Sequence, residues 1–111
     1  MSTAFARLLV VHDAYSKAYE RRLDDWGNAT STQAKVISDN LDHLETQYLR
    51  AAKQALDANG EAVEAAFEAA KKAQENVDAA YKAAKGMAEK IRLVGDIVSR
   101  VGDLMNKAGG Y

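Results

Sequence analysis

The chain has no cysteine and no proline in its 111 residues, and a single tryptophan. Lack of cysteine excludes a disulfide framework, a thiolate nucleophile and a cysteine metal site, and nothing points to an oxidising compartment. Lack of proline means that helix ends have to be read from glycine and asparagine. No apolar run approaches the roughly 18 to 20 residues of a membrane span. The apolar stretch Phe5 to Val11 is short, is interrupted by Arg7, and is followed by no small-residue cleavage pattern. A secretory signal is therefore not expected, and the cytoplasm is the expected compartment, with export by a signal-less route left open.

Charge of one sign is lacking too. Fifteen basic residues face sixteen acidic ones, and the two balance locally along the chain. A nucleic-acid binder concentrates positive charge on one surface, so no nucleic-acid partner is expected. There is no Gly-rich phosphate loop, no Ser/His/Asp set and no paired-carboxylate site. Hence no catalytic, cofactor or metal residue is assigned, and enzymatic activity is not expected. The length suits one domain, residues 1–111.

What is present is helical periodicity. In helix 1, about 3–26, Phe5, Leu8, Leu9, His12, Tyr15, Tyr19, Leu23 and Trp26 fall on one side. Asp13, Lys17, Arg21 and Asp24 lie opposite. Gly27-Asn28-Ala29 breaks the pattern, and Thr30 with Gln33 three residues later reads as a capping box. Helix 2, about 31–58, follows with Ile37, Leu41, Leu44, Tyr48, Ala51, Ala52 and Ala55 on one stripe. Asn59-Gly60 then stops it, because both residues tolerate the left-handed conformation.

From Gly60 to Ala108 no strong break occurs, so helix 3 is expected over about 60–107, bent or straight at Gly86. The fold class is all-α, an antiparallel bundle of three helices with a long third. A bend near Gly86 would make it a four-helix bundle instead. Fifteen alanines fall within residues 51–88. Ala62, Ala66, Ala69, Ala73, Val77, Ala80 and Ala84 form a seam that favours helix and lets backbones approach closely.

Past Gly86 the apolar face turns by roughly 80° on a helical wheel and widens. Val94-Gly95-Asp96-Ile97-Val98-Ser99-Arg100 is followed at once by the similar heptad Val101-Gly102-Asp103-Leu104-Met105-Asn106-Lys107. This face requires something to pack on. Ile91, Val94, Gly95, Ile97, Val98, Val101, Gly102, Leu104 and Met105 are the candidate contact residues, with Gly95 and Gly102 suggesting close approach. A second copy is the first expected partner and another helical protein the alternative. A membrane surface is less favoured, because the face lacks a Lys/Arg excess and aromatic anchors.

Two further sites are weighed. His12 with Tyr15 and Tyr19 would form a buried acid/base or ligand-sensing cluster if the stripe of helix 1 faces a cavity. His43, four residues after Asp39, has the spacing of a two-ligand metal pair but lacks further ligands. Trp26-Gly27 resembles the Trp-x-Gly turn of small secreted helical-hairpin proteins, yet the spacing differs, and Asn28 stands where that glycine belongs. Asn28-Ala29-Thr30 matches a glycosylation sequon but reads as a turn and cap. Gly109-Gly110 before Tyr111 reads as a helix stop.

Overall fold

The computed structural model describes residues 2–109, the side chain of Leu23 excepted. Among these residues there are four helices: α1 (Ala4–Gly27), α2 (Ser31–Lys53), α3 (Glu61–Ala83) and α4 (Met87–Gly109). The chain is all-α, but the long third helix of the three-helix reading is two helices. Gly110 and Tyr111 lie outside the described residues.

Each boundary has a local cause. The Thr3 hydroxyl accepts from the Ala6 N–H at 3.0 Å and opens α1. At its far end the Asn28 side chain donates to the Asp24 carbonyl at 2.9 Å. The capping box of α2 is formed: the Gln33 N–H donates to Thr30 Oγ1 at 3.2 Å, and the Thr30 N–H to Gln33 Oε1 at 3.0 Å. Gly60 has φ 136°, a backbone that side chains resist, and its carbonyl accepts from Glu64 N–H in the first turn of α3.

The break between α3 and α4 starts at Ala84, which is extended (φ −64°, ψ 136°). The Gly86 carbonyl then accepts from the Lys90 N–H at 3.2 Å. Glu89 reaches back to accept from the Lys85 N–H at 3.0 Å, which anchors the first turn of α4. This explains the turn of the apolar face near Gly86: the two halves belong to different helices and answer to different neighbours.

Helix α2 is also shorter than expected, ending at Lys53. Gln54 is extended (φ −121°, ψ 138°), and Leu56 is drawn into the core. Ala58 N–H donates to the Ala108 carbonyl at 3.1 Å, so the connection is stitched to the end of α4. Burying a leucine here is worth more than one further helical turn.

α1 with α2, and α3 with α4, form two antiparallel hairpins that pack on each other. α1 and α3 run parallel, with Arg7–Glu64, Lys17–Gln74 and Arg21–Asp78 all bridged at a separation of 57 residues. α2 packs closely on α4, whereas α2 and α3 make no contact among the described residues. The cross-section is a rhombus with α1 and α4 on the short diagonal. Its long diagonal is crossed by residues 54–60, which is why that connection is longer than 28–30 and 84–86.

The core comprises Val10, Val11 and Ala14 of α1 with Leu44 and Ala51 of α2, and Leu56. α3 adds Val63, Ala66, Phe67, Ala70 and Val77, and α4 adds Ile97, Val101, Leu104, Met105 and Ala108. For α3 the inward stripe is thus shifted from the alanine seam read in the sequence: Ala66 and Val77 are shared, while Ala62 is exposed. For α1 the correction is larger. Its inward face is Arg7, Val10, Val11, Ala14 and Asp25, and the Phe5–Leu9–Tyr19–Trp26 side points outward. Small and β-branched side chains on the inner face suit close approach to α2, the helix on which α1 packs most extensively.

Candidate functional site

The C-terminal heptad face is occupied by the chain itself. Ile97, Val101, Leu104 and Met105 are buried, and Val94 and Val98 are half-buried against the same core. Ile91 and Val94 line a cavity of about 20 Å³ between α1, α2 and α4, together with Arg21, Asp25, Asn40 and Lys90. That volume holds about one water. The two glycines differ. A Cβ on Gly102 would lie 3.1 Å from Gln47 Nε2, which itself donates to the Val98 carbonyl at 3.2 Å; Gly102 makes room for that side chain. A Cβ on Gly95 would meet nothing within 4 Å, so no close approach explains it. Of the nine residues, Ile97, Val101, Leu104 and Met105 are thus taken up by the chain's own core.

The expected sensor cluster is assembled but open. His12 stands edge-on to Tyr48 at 5.3 Å, and Tyr15 stacks on Tyr48 at 5.8 Å with an interplanar angle of 12°. Tyr15 donates to Glu45 at 3.4 Å, and burial together with that carboxylate raises its phenol above the ordinary value. His12 is only half-buried, with Nδ1 3.3 Å from the Asp13 carboxylate. These rings seal the outer seam between α1 and α2. His43 and Asp39 are not joined: Asp39 pairs with Lys35 at 3.3 Å, and no cluster of three or more metal-ligating side chains occurs among the described residues.

What the sequence reading missed is the outer face of α1. Phe5, Leu9, Tyr19 and Trp26 are 68%, 43%, 46% and 46% exposed. With His12 and Ser16 between them, these positions are spaced alternately by four and three residues. That is the a/d spacing of a coiled-coil seam. Leu23 continues the spacing in sequence, though its side chain lies outside the described residues. Along one edge stand the exposed carboxylates of Asp13, Glu20 and Asp24; along the other, Leu8, Tyr15 and Arg22. Arg22 folds over the Tyr19 ring at 3.5 Å and donates to the Tyr19 carbonyl at 2.7 Å.

Two polar clasps hold α1 against α3. At one end the Arg7 guanidinium, 1% exposed, donates to the Leu56 carbonyl (2.6 Å), the Ala58 carbonyl (2.8 Å), Ser2 Oγ (2.8 Å) and Glu64 (3.0 Å). The Ser2 hydroxyl and N–H, with Arg7, hold the Glu64 carboxyl below its ordinary pKa against the opposing effect of burial. At the other end Tyr81 donates to Asp25, and Arg21 pairs with Asp78 while lying over the Tyr81 ring. Burial and the Asp25 carboxylate push the Tyr81 phenol well up.

Between the clasps α1 and α3 leave a groove of about 280 Å³, lined by Ala6, Leu9, Val10, Asp13, Phe67 and Gln74 among others. The Gln74 side chain is buried, and neither Nε2 nor Oε1 has a hydrogen-bond partner among the described residues. An unpaired buried amide is costly. Gln74→Leu is therefore expected to stabilise the fold by about 1–2 kcal/mol in urea unfolding. A loss of stability instead would show that the amide is satisfied in solution.

A scan of protein-family models and searches of curated proteins and solved structures find no match to this chain. Among the described residues, no helix is long and apolar enough to cross a membrane.

Proposed function

We propose that this chain is a non-catalytic interaction module that docks another α-helix along the outer face of α1. The observation that carries the reading is the exposed heptad of Phe5, Leu9, Tyr19 and Trp26 on a helix whose opposite face already fills the core. Scattered apolar residues on a surface need no explanation, but two exposed pairs, Phe5–Leu9 and Tyr19–Trp26, aligned on one helix face across His12 and Ser16, mark a contact. The spacing suits a helix better than a strand or an extended peptide, because knobs at a and d fit between the side chains of a second helix.

The heptads of α4 enter this reading as support from within. They brace α1 and α2 from behind, so the outer face is presented on a packed scaffold. A rigid face loses little conformational entropy on binding.

Trp26 is the only tryptophan and stands at one end of the face, so its fluorescence reports docking directly. The probe is a synthetic amphipathic helix of about three heptads, with leucine at a and d and uncharged edges. Its addition is expected to shift Trp26 emission to the blue, with saturation. Leu9→Glu combined with Tyr19→Glu should abolish the shift and leave the circular dichroism spectrum unchanged. If the peptide leaves Trp26 emission unmoved at every concentration, the face is not a helix-docking surface.

A further inference from the structure

The edges of the α1 face specify more than an apolar ridge, and from them we infer the chemistry of the partner, which rests on the docking reading above. We infer that the face receives an α-helix from a different chain, one that carries lysine or arginine along the edge that meets Asp13, Glu20 and Asp24. These three carboxylates are exposed and lie on the same side of the seam. In a helix pair such flanking positions set partner choice and orientation, because they meet across the seam once its apolar centre is buried.

A second copy does not supply the matching charges. In an antiparallel self-pair, like edges meet, and Asp13 and Glu20 would face the same acids of the other copy. In a parallel self-pair, they would face the Leu8, Tyr15 and Arg22 edge. Arg22 is the single cation there, already stacked on Tyr19 and bonded to the Tyr19 carbonyl. Glu45, the acceptor for Tyr15, adds a further negative charge beside that edge. The nearby bases are also engaged: Lys17 pairs with Asp78 at 3.5 Å, Arg21 pairs with the same carboxylate, and Lys71 of α3, which lines the groove with Asp13, pairs with Glu75 at 4.0 Å. The acidic edge likewise opposes an anionic lipid surface, which attracts helices with basic flanks.

The test uses the full chain and three helical peptides that share leucine at a and d but carry lysine, glutamate or uncharged edges. Binding is read by Trp26 emission at low salt and again at high salt. The lysine-edged peptide is expected to bind on the order of tenfold more tightly than the glutamate-edged one, as a few rim ion pairs together supply. Salt should erase most of that difference. Asp13→Lys with Glu20→Lys is expected to reverse the preference, with the fold checked by circular dichroism.

Equal binding of all three peptides would overturn the inference about charge while leaving the docking reading in place. Binding by none would overturn the docking reading itself. Doubling of the chain's own mass in light scattering, with a matching shift of Trp26, would assign the face to a second copy and overturn the inference. A Trp26 shift on vesicles of anionic phospholipid, stronger than with the lysine-edged peptide, would overturn it as well.

Discussion

Replacing Arg7 with alanine is expected to destabilise the bundle by about 3–5 kcal/mol, a large share of what a domain of this size possesses. The guanidinium is 1% exposed and ties the carbonyls of Leu56 and Ala58 to the Ser2–Glu64 pair. Its removal leaves the buried Leu56 carbonyl and the part-buried Ala58 carbonyl without their donor, and frees residues 54–60 from α1. Arg7→Lys should recover only part of the loss, because an ammonium group lacks the planar fork that serves several acceptors at fixed angles. Urea unfolding at neutral pH measures both. A cost below about 1 kcal/mol for the alanine variant would mean that the clasp is dispensable.

Val101→Asp is expected to prevent folding altogether. Val101 is 0% exposed, amid core residues that include Leu104 and Ile97, and a carboxylate placed there gains no partner. Such a substitution costs about 4 kcal/mol or more. Far-ultraviolet circular dichroism should report loss of helix at 37 °C. If the helix content stays intact and only the mass of an oligomer changes, Val101 faces a partner chain and α4 does not belong to the core. Val98→Asp should be milder, since Val98 is only half-buried.

The helical class and the capping box at Thr30 were legible, because each depends on neighbours in sequence; the end of α2 was not, because the chain leaves the helix at Gln54 to bury Leu56 in a core built by distant residues. The split at 84–86 was half legible. The turning apolar face announced it, and the sharper sign was Glu89, placed to accept from the N–H of Lys85. The inward face of α1 was not legible. Both sides of that helix are apolar, and the true core side carries Arg7 and Asp25, whose partners come from residues far along the chain. Gln74 hid the core stripe of α3 in the same way. The large residues Phe5, Tyr19 and Trp26 therefore drew the core assignment, although their strict heptad spacing matches a surface seam better than a core face.

The rhombic pairing of two hairpins has a consequence for how concentration enters the protein's stability. Chemically the bundle is a pair of helical hairpins joined through residues 54–60. Tethering turns their meeting into a first-order event at an effective concentration on the order of millimolar. Arg7 and Ala108 also fix the tether in place, which reduces the freedom to be lost when the hairpins meet. The apolar face of α4 thus finds its complement in cis, and folding of the bundle should be insensitive to dilution.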